Sequence, residues 1–280
     1  MADESTIAAL LAAAAPRLAA GGSGRLDAEL LLAELLGGGR TTLYLAPERV
    51  VGAVEVAAFE ALVQRRAAGC PLAYLLGRAE FWSLELVVDE RVLVPRPETE
   101  LLVECALEVA ARGSTARLAD LGTGSGAIAC ALACELRAAT IIASDRSLSA
   151  LALARLNFAR HAGERIRAVA GDWLAPIAPA SLDVVVANPP YVATAEHSLM
   201  NAATAFEPGT ALFAADDGLA DLARIIGEGR RVLRPGGWLL VEHGLAQGAA
   251  VRGLFGAHGY QAIATRRDLA GHERVTSGRG

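Results

Sequence analysis

The sequence predicts an α/β fold: a seven-stranded, mostly parallel sheet covered by helices on both faces, preceded by a small all-helical unit and a β-hairpin. Three observations carry this. From Arg117 onward short apolar runs alternate with helical patterns, and that alternation calls for a parallel sheet between helices. A glycine loop, Gly122-Thr123-Gly124-Ser125-Gly126, joins the first of these strands to its helix. The fourth strand stops abruptly at Asn188-Pro189-Pro190-Tyr191, because two successive prolines offer no N–H to a ladder and fix φ.

Residues 1–80 read as the helical unit. Ile7, Leu10, Leu11 and Ala14 have helical spacing, and Gly21-Gly22-Ser23-Gly24 ends that helix. Leu26, Leu30, Leu31, Ala33 and Leu35 restart the pattern with Asp27, Glu29 and Glu34 left for solvent, and Gly37-Gly38-Gly39 stops it. A third amphipathic segment spans residues 54–66. This unit holds no cofactor motif; it either recognises a macromolecular partner or serves as a stabilising cap. Residues 81–96 form the hairpin linker, with residues 81–88 alternating, Val92-Leu93-Val94 following, and Asp89-Glu90 as the expected turn.

Residues 97–280 form the sheet domain. Its strands are expected at 117–121, 140–144, 166–170, 182–187 and 238–242, with 261–265 and 274–277 as a final antiparallel pair. Helices are expected at 99–111, 127–137, 149–161, 218–233 and 251–257, the fourth closed by Arg234-Pro235-Gly236-Gly237.

Composition narrows the function classes. With 53% hydrophobic and 20% charged residues among 280, the chain can bury a sizeable core and is not a disordered one. A net charge of −5 and a pI near 5.6 argue against a broad nucleic-acid surface. Cys70, Cys105, Cys130 and Cys134 lack metal spacing, Cys130 and Cys134 read as buried thiols one turn apart on a helix, and a reducing cytoplasm fits. No apolar run free of charge reaches the roughly 18 residues of a membrane span, and Asp3 and Glu4 do not make a secretory n-region.

The carboxyl ends of the strands carry the chemistry, since ligands of open α/β sheets bind there. Asp120 and the glycine loop open a helix whose N-terminus favours negative charge and whose glycines let a ligand approach the backbone. The loop also fits a dinucleotide fingerprint, so a nicotinamide or flavin enzyme is a competing reading. Asp145, ending the second strand, can accept two ribose hydroxyls; the alternative is a helix cap for the segment near Ser147. After the third strand, Asp172 can accept an exocyclic amine and Trp173 can pack on an adenine face, unless Trp173 is simply core. Together these ends imply an adenosine ligand.

At the fourth strand end, Asn188-Pro189-Pro190-Tyr191 resembles the motif of S-adenosylmethionine-dependent methyltransferases acting on amide or exocyclic nitrogens. Such a nitrogen has a delocalised lone pair, so orientation matters more than a strong base. The Asn188 side-chain oxygen and the Pro189 carbonyl can both accept from the target NH2, and Tyr191 can pack on its plane.

The resemblance extends through Pro71-Leu72-Ala73-Tyr74-Leu75, Glu80-Phe81-Trp82, Val94-Pro95-Arg96-Pro97-Glu98-Thr99-Glu100, Phe206-Glu207-Pro208, Glu242-His243-Gly244 and the segment from Arg267 to Thr276. Over roughly residues 70–278 the chain is similar to the HemK/PrmC family, the release-factor glutamine methyltransferases. The resemblance implies a Rossmann-like class I methyltransferase domain. It implies S-adenosyl-L-methionine as methyl donor, with S-adenosyl-L-homocysteine as product. It also implies methylation at N5 of the glutamine in the Gly-Gly-Gln loop of class-1 release factors. Cofactor contacts are implied for Gly122, Thr123, Gly124, Ser125, Gly126, Asp145, Asp172, Trp173 and Asn188. Glutamine contacts are implied for Asn188, Pro189, Pro190 and Tyr191, with Phe81, Arg96 and Pro97 near the pocket and Glu207 at its rim.

Within the same chemistry, a glutamine of ribosomal protein L3 is the nearest rival substrate. An adenine-N6 DNA methyltransferase would need duplex contacts and a recognition insertion after Tyr191, a dehydrogenase a hydride-transfer partner, and a non-catalytic adaptor no acceptor turn. His243 reads as a structural hydrogen-bonding residue; His161, His197, His258 and His272 read as surface or loop positions, and no metal is expected. The enzyme is expected to act as a monomer on a protein substrate, without nucleic acid or membrane.

Overall fold

A computed structural model describes residues 5–19, 22–110, 115–194 and 204–280. Gly21, Ala111 and His197 lie outside the described residues. The chain forms two compact units, Met1–Gly77 with Asn201–Phe206, and Arg78–Met200 with Glu207–Gly280.

The first unit contains α1 (Ile7–Arg17), α2 (Gly24–Leu35), α3 (Arg40–Leu45), α4 (Ala53–Ala67) and α5 (Leu72–Leu76). Thr6 caps α1 by accepting from the Ala9 N–H at 3.2 Å, and Ile7, Leu10, Leu11 and Ala14 face inward as their spacing predicts. They meet Ala28, Leu31, Leu32, Phe59 and Val63 in one core. On α2 the expected polar face is partly wrong. Asp27 and Glu29 are buried and Leu26 is 39% exposed. The acids are held inside by arginines: Arg66 of α4 on Asp27, and Arg40 of α3 together with Arg25 of α2 itself on Glu29, each at 2.7 Å. A buried carboxylate needs such partners, and the periodicity of α2 alone shows neither Arg40 nor Arg66.

The second unit opens with the hairpin, but its turn is displaced from the expected place. Strands β1 (Arg78–Phe81) and β2 (Leu84–Val87) pair antiparallel around Trp82 and Ser83, both left-handed at φ 54 and 57. Two left-handed residues make the turn that matches strand twist, yet neither is the glycine or asparagine that would announce it. Asp89 instead ion-pairs with Arg91, and residues 92–94 are not a strand.

The main sheet runs β10-β11-β9-β6-β3-β4-β5 from edge to edge. Strands β3 (Arg117–Leu121), β4 (Thr140–Asp145), β5 (Ile166–Ala170), β6 (Leu182–Ala187) and β9 (Leu233–Glu242) are parallel, while β11 (Glu273–Arg279) and β10 (Gln261–Arg267) add antiparallel. Successive strands leave β3 toward β4 and β5, and then the chain returns to its other side at β6. That reversal opens a crevice at the carboxyl ends of β3 and β6. Leu118, Ala119, Leu121 and Val184 to Ala187 are at most 1% exposed, as continuous apolar strands covered on both faces must be.

Helices α6 (Glu100–Ala110), α7 (Ala127–Glu135), α8 (Leu148–His161), α11 (Ala220–Val232) and α12 (Gly248–Ala257) cover the faces. Helix α7 is buried from Ala127 to Ala133, apolar on every side. Helix α11 buries Leu222, Ile225, Ile226, Gly229 and Val232 along one stripe. It is preceded by one minor strand pair, β7 (Val192–Ala193) with β8 (Phe213–Ala214), and by short α9 (Gly209–Leu212) and α10 (Ala215–Gly218). The helix expected from Gly218 to Leu233 is therefore present but starts two residues later, because Asp216, Asp217 and Gly218 are successively left-handed. Arg234-Pro235-Gly236-Gly237 also departs from expectation, lying within β9 across a bulge opposite Leu182 and Val184 rather than in a loop.

Candidate active site

Four strand ends converge on a cavity of 410 Å³ lined by Gly122, Gly124, Asp145, Asp172, Trp173, Asn188 and Pro190, together with Val92 and Leu93. Its size is that of a small-molecule site.

At the end of β3 the glycine loop is shaped by backbone need. Gly122, Gly124 and Gly126 have φ of +68, +53 and +83. A Cβ on Gly122 would stand 2.9 Å from the Trp173 ring, and one on Gly126 would collide with Phe158 of α8. The loop is fastened by Thr123, whose N–H donates to the Ser144 carbonyl at 2.9 Å and whose hydroxyl donates to Asp120 Oδ2 at 2.6 Å. Asp120 also accepts from the Ala129 N–H at 3.2 Å, while its Oδ1 has no hydrogen-bond partner among the described residues. Complete burial pushes this carboxyl up to about 7.

Asp145 ends β4 with each oxygen on a backbone N–H, Oδ2 on Gly124 at 3.0 Å and Oδ1 on Ser147 at 2.8 Å. The cap of α8 is Ser147, which accepts from Ala150, so Asp145 organises two loops around the cavity instead of capping the helix itself. After β5, the Asp172 carboxylate pairs with Arg224 at 2.6 Å. Trp173 is left-handed at φ 48, and its indole N–H donates to Asp221 at 3.0 Å, which fixes the ring against Gly122.

After β6, Asn188 Nδ2 donates to the Thr99 hydroxyl at 3.1 Å, leaving Oδ1 as its acceptor atom. Pro189 and Pro190 are buried. Tyr191 donates to Glu242 Oε1 at 3.2 Å, and its carbonyl accepts from Gln247 at 3.1 Å. Burial keeps the Tyr191 phenol protonated. Burial likewise pushes Glu242, 1% exposed, up to about 7 against the pull of Thr99, Arg274 and Tyr191.

Arg96 and Glu207 are brought together as an ion pair, and Glu207 also accepts from the Val94 N–H at 3.1 Å. Pro97 opens the 3-10 turn Pro97–Thr99. Phe81 does not line the cavity: it is 2% exposed and packs with Leu86 and Leu102 in the core. His243 is buried with Nε2 at 2.9 Å from the Thr276 hydroxyl, a structural contact. Sequence reasoning gave no role to Thr99 or Glu242. The available signal was a lone carboxylate ending the apolar strand Trp238-Leu239-Leu240-Val241-Glu242, since unpaired acids are rarely buried.

Residues 9–77 match the PrmC N-terminal domain, and residues 97–219 match the methyltransferase small domain. A solved structure of a methyltransferase from Pyrococcus furiosus, 17% identical, superposes with a TM-score of 0.53 over 70% of this chain and 88% of that one. Fold and strand-end site together define a class I methyltransferase. Among relatives, a release factor glutamine methyltransferase of Xylella fastidiosa is 44% identical over 97% of both chains, and that of Escherichia coli is 44% identical over 94% of this chain and 95% of its own. The chain belongs to the release factor glutamine methyltransferase family.

Proposed function

We propose that this enzyme transfers a methyl group from S-adenosyl-L-methionine to the side-chain amide nitrogen, N5, of the glutamine in the Gly-Gly-Gln loop of a class-1 release factor. The observation that carries the reading is the Asn188-Pro189-Pro190-Tyr191 turn, standing at the switch-point cavity with the Asn188 amide already committed on its nitrogen side. The names of the relatives support the substrate.

The residues present fit the methyl donor. A glycine cradle that admits no side chain, a carboxylate at the end of β4, and an indole pinned beside the cradle suit an adenosine with a ribose. Gly122 to Gly126, Asp145, Asp172 and Trp173 would hold it. When bound, it supplies an electrophilic methyl group on a sulfonium, with a neutral thioether as leaving group.

The chain's own contribution is orientation. Asn188 Oδ1 and the Pro189 carbonyl accept from the two hydrogens of the glutamine NH2, which holds the amide plane so that the nitrogen lone pair faces the methyl. The same two oxygens stabilise positive charge that develops on nitrogen, and the proton that the methyl replaces then leaves to solvent, giving the neutral N-methyl amide. Tyr191, anchored by Glu242, backs the acceptor plane. We further read the enzyme as a cytoplasmic monomer that contacts protein rather than nucleic acid; no helix among the described residues is long and apolar enough to cross a membrane.

Peptide mass spectrometry of an unmodified release factor incubated with the protein and S-adenosyl-L-methionine tests the reading. One added methyl on the loop glutamine is expected. Methylated adenine in a parallel DNA assay, with the glutamine unmodified, would replace it.

A further inference from the structure

One fully buried amide beside the cavity has no part in the steps above. Asn157 lies on α8, 0% exposed, and its side chain bonds to main chain on two different segments. Its Oδ1 accepts from the Val87 N–H at 2.8 Å. Its Nδ2 donates to the Val87 carbonyl at 3.0 Å and to the Ser125 carbonyl at 2.8 Å. Val87 ends β2, and Ser125 belongs to the glycine loop. Burying an amide is unfavourable unless its polar atoms are used, and here the oxygen and both Nδ2 protons are taken.

In the hairpin, the two-residue turn makes Phe81 and Leu84 the first pair of the ladder. Alternation then puts the main-chain groups of Glu85 and Val87 on the edge away from β1. Helix α8 covers that edge in place of a third strand. A His161 ring nitrogen meets the Glu85 carbonyl at 2.8 Å, and Asn157, one turn earlier, takes both main-chain groups of Val87 as a neighbouring strand would. One helical turn of about 5.4 Å and two strand residues at about 3.3 Å each are near enough in length for this match. In the glycine loop, the Ser125–Gly126 peptide is held at both ends. The Gly126 N–H donates to the Thr123 carbonyl at 2.7 Å, and the Ser125 carbonyl accepts from Asn157. A reversed amide would set Oδ1 against two carbonyls, so the network fixes its orientation.

Both segments run into the cavity lining. Val87 stands three residues ahead of Glu90, where the lining stretch 90–93 begins, and Ser125 follows Gly124, which also lines the cavity. We propose that Asn157 is a positioning residue for the methyl donor: its buried amide fixes the glycine loop against β2 and so sets the distance between two parts of the cavity lining that hold the cofactor. This rests on the adenosine cofactor of the reading above. His161 secures the same hairpin edge with no hydrogen bond to the glycine loop among the described residues, which makes it the internal control.

Calorimetric titration with S-adenosyl-L-homocysteine, and steady-state kinetics on an unmodified release factor, test this on wild type, Asn157→Ala, Asn157→Asp and His161→Ala. Asn157→Asp keeps the shape and the accepting oxygen but exchanges the NH2 for an oxygen that faces two carbonyls. Both Asn157 variants are expected to bind S-adenosyl-L-homocysteine roughly tenfold or more weakly. Their KM for S-adenosyl-L-methionine should rise by more than kcat falls, because Asn188 and Pro189 are untouched. His161→Ala should bind within about twofold of wild type, since only the hairpin edge loses a partner. In hydrogen exchange read by mass spectrometry, peptides spanning the glycine loop should exchange faster in Asn157→Ala than in wild type, and no faster in His161→Ala.

Asn157 variants with wild-type affinity, or with kcat lowered and KM unchanged, would overturn the proposal. So would His161→Ala weakening the cofactor as much as Asn157→Ala, or both Asn157 variants failing to fold, since Asn157 would then serve the hairpin or the fold alone. A wild-type protein that binds no S-adenosyl-L-homocysteine would remove the cofactor reading and this inference together.

Discussion

Asn188 and Asp145 sit on the same cavity with different tasks, and substitution separates them. Asn188 orients the acceptor, so Asn188→Ala is expected to lower kcat by on the order of 10²-fold with cofactor affinity retained, as measured by single-turnover rates and calorimetry. Asp145 holds the Gly124 and Ser147 N–H groups, so Asp145→Ala is expected to weaken S-adenosyl-L-homocysteine binding by roughly tenfold or more. An Asn188→Ala enzyme with normal turnover, or an Asp145→Ala enzyme with normal affinity, would exchange or erase these roles. Both residues are legible in the sequence because each follows a recognisable strand. Thr99 and Glu242 are not, because each is placed by a side-chain contact with the acceptor turn, 89 and 51 residues away in the chain. Phe81 shows the opposite error: an aromatic residue in a family motif proves to be core.

Among the elements, those defined by burial on both faces are read to within a residue or two from the sequence. Strands β3 and β6 match expectation residue for residue, since continuous apolar runs ended by glycine or proline admit few alternatives, and the more exposed edge strand β5 matches as well, ended by Gly171. The hairpin fails for a local reason. Its turn uses Trp82 and Ser83 in the left-handed region, where ordinary residues are strained, and the indole is retained because its N–H reaches Glu135 at 3.0 Å. Ser83→Gly should relieve that strain and stabilise the protein by about 1 kcal/mol, seen as a higher midpoint in chemical denaturation. An unchanged or lower midpoint would mean that the serine conformation is not strained. The kink at Asp216 and Asp217 was hidden in the same way, by left-handed residues without a glycine at either position.

At the scale of the molecule, buried acids give the fold a pH signature. Asp120 is pushed up to about 7 by burial, from an unfolded value near 3.8. Between those values the unfolded chain has released its proton while the native state keeps it. Stability contributed by this group is therefore full below pH 3.8 and lost as pH rises through about 7. The loss at the alkaline end is on the order of 4 kcal/mol. Asp120→Asn can still accept from Thr123 and Ala129 with its oxygen but cannot ionise. Its denaturation midpoint should gain on wild type as pH rises from about 5 to 8, and parallel curves for the two proteins would show that Asp120 ionises freely. Glu242 shares this cost, which makes the acceptor turn and the glycine loop two places where the fold gives up stability for a site.

The central claim is that the acceptor is an amide nitrogen of one glutamine, presented to Asn188 and Pro189. The most direct measurement is transfer of radiolabelled methyl from S-adenosyl-L-methionine to two release factors that differ only in that loop glutamine, intact in one and replaced by alanine in the other. Label on the intact protein alone is the predicted result; equal labelling of both, or of neither, would contradict it.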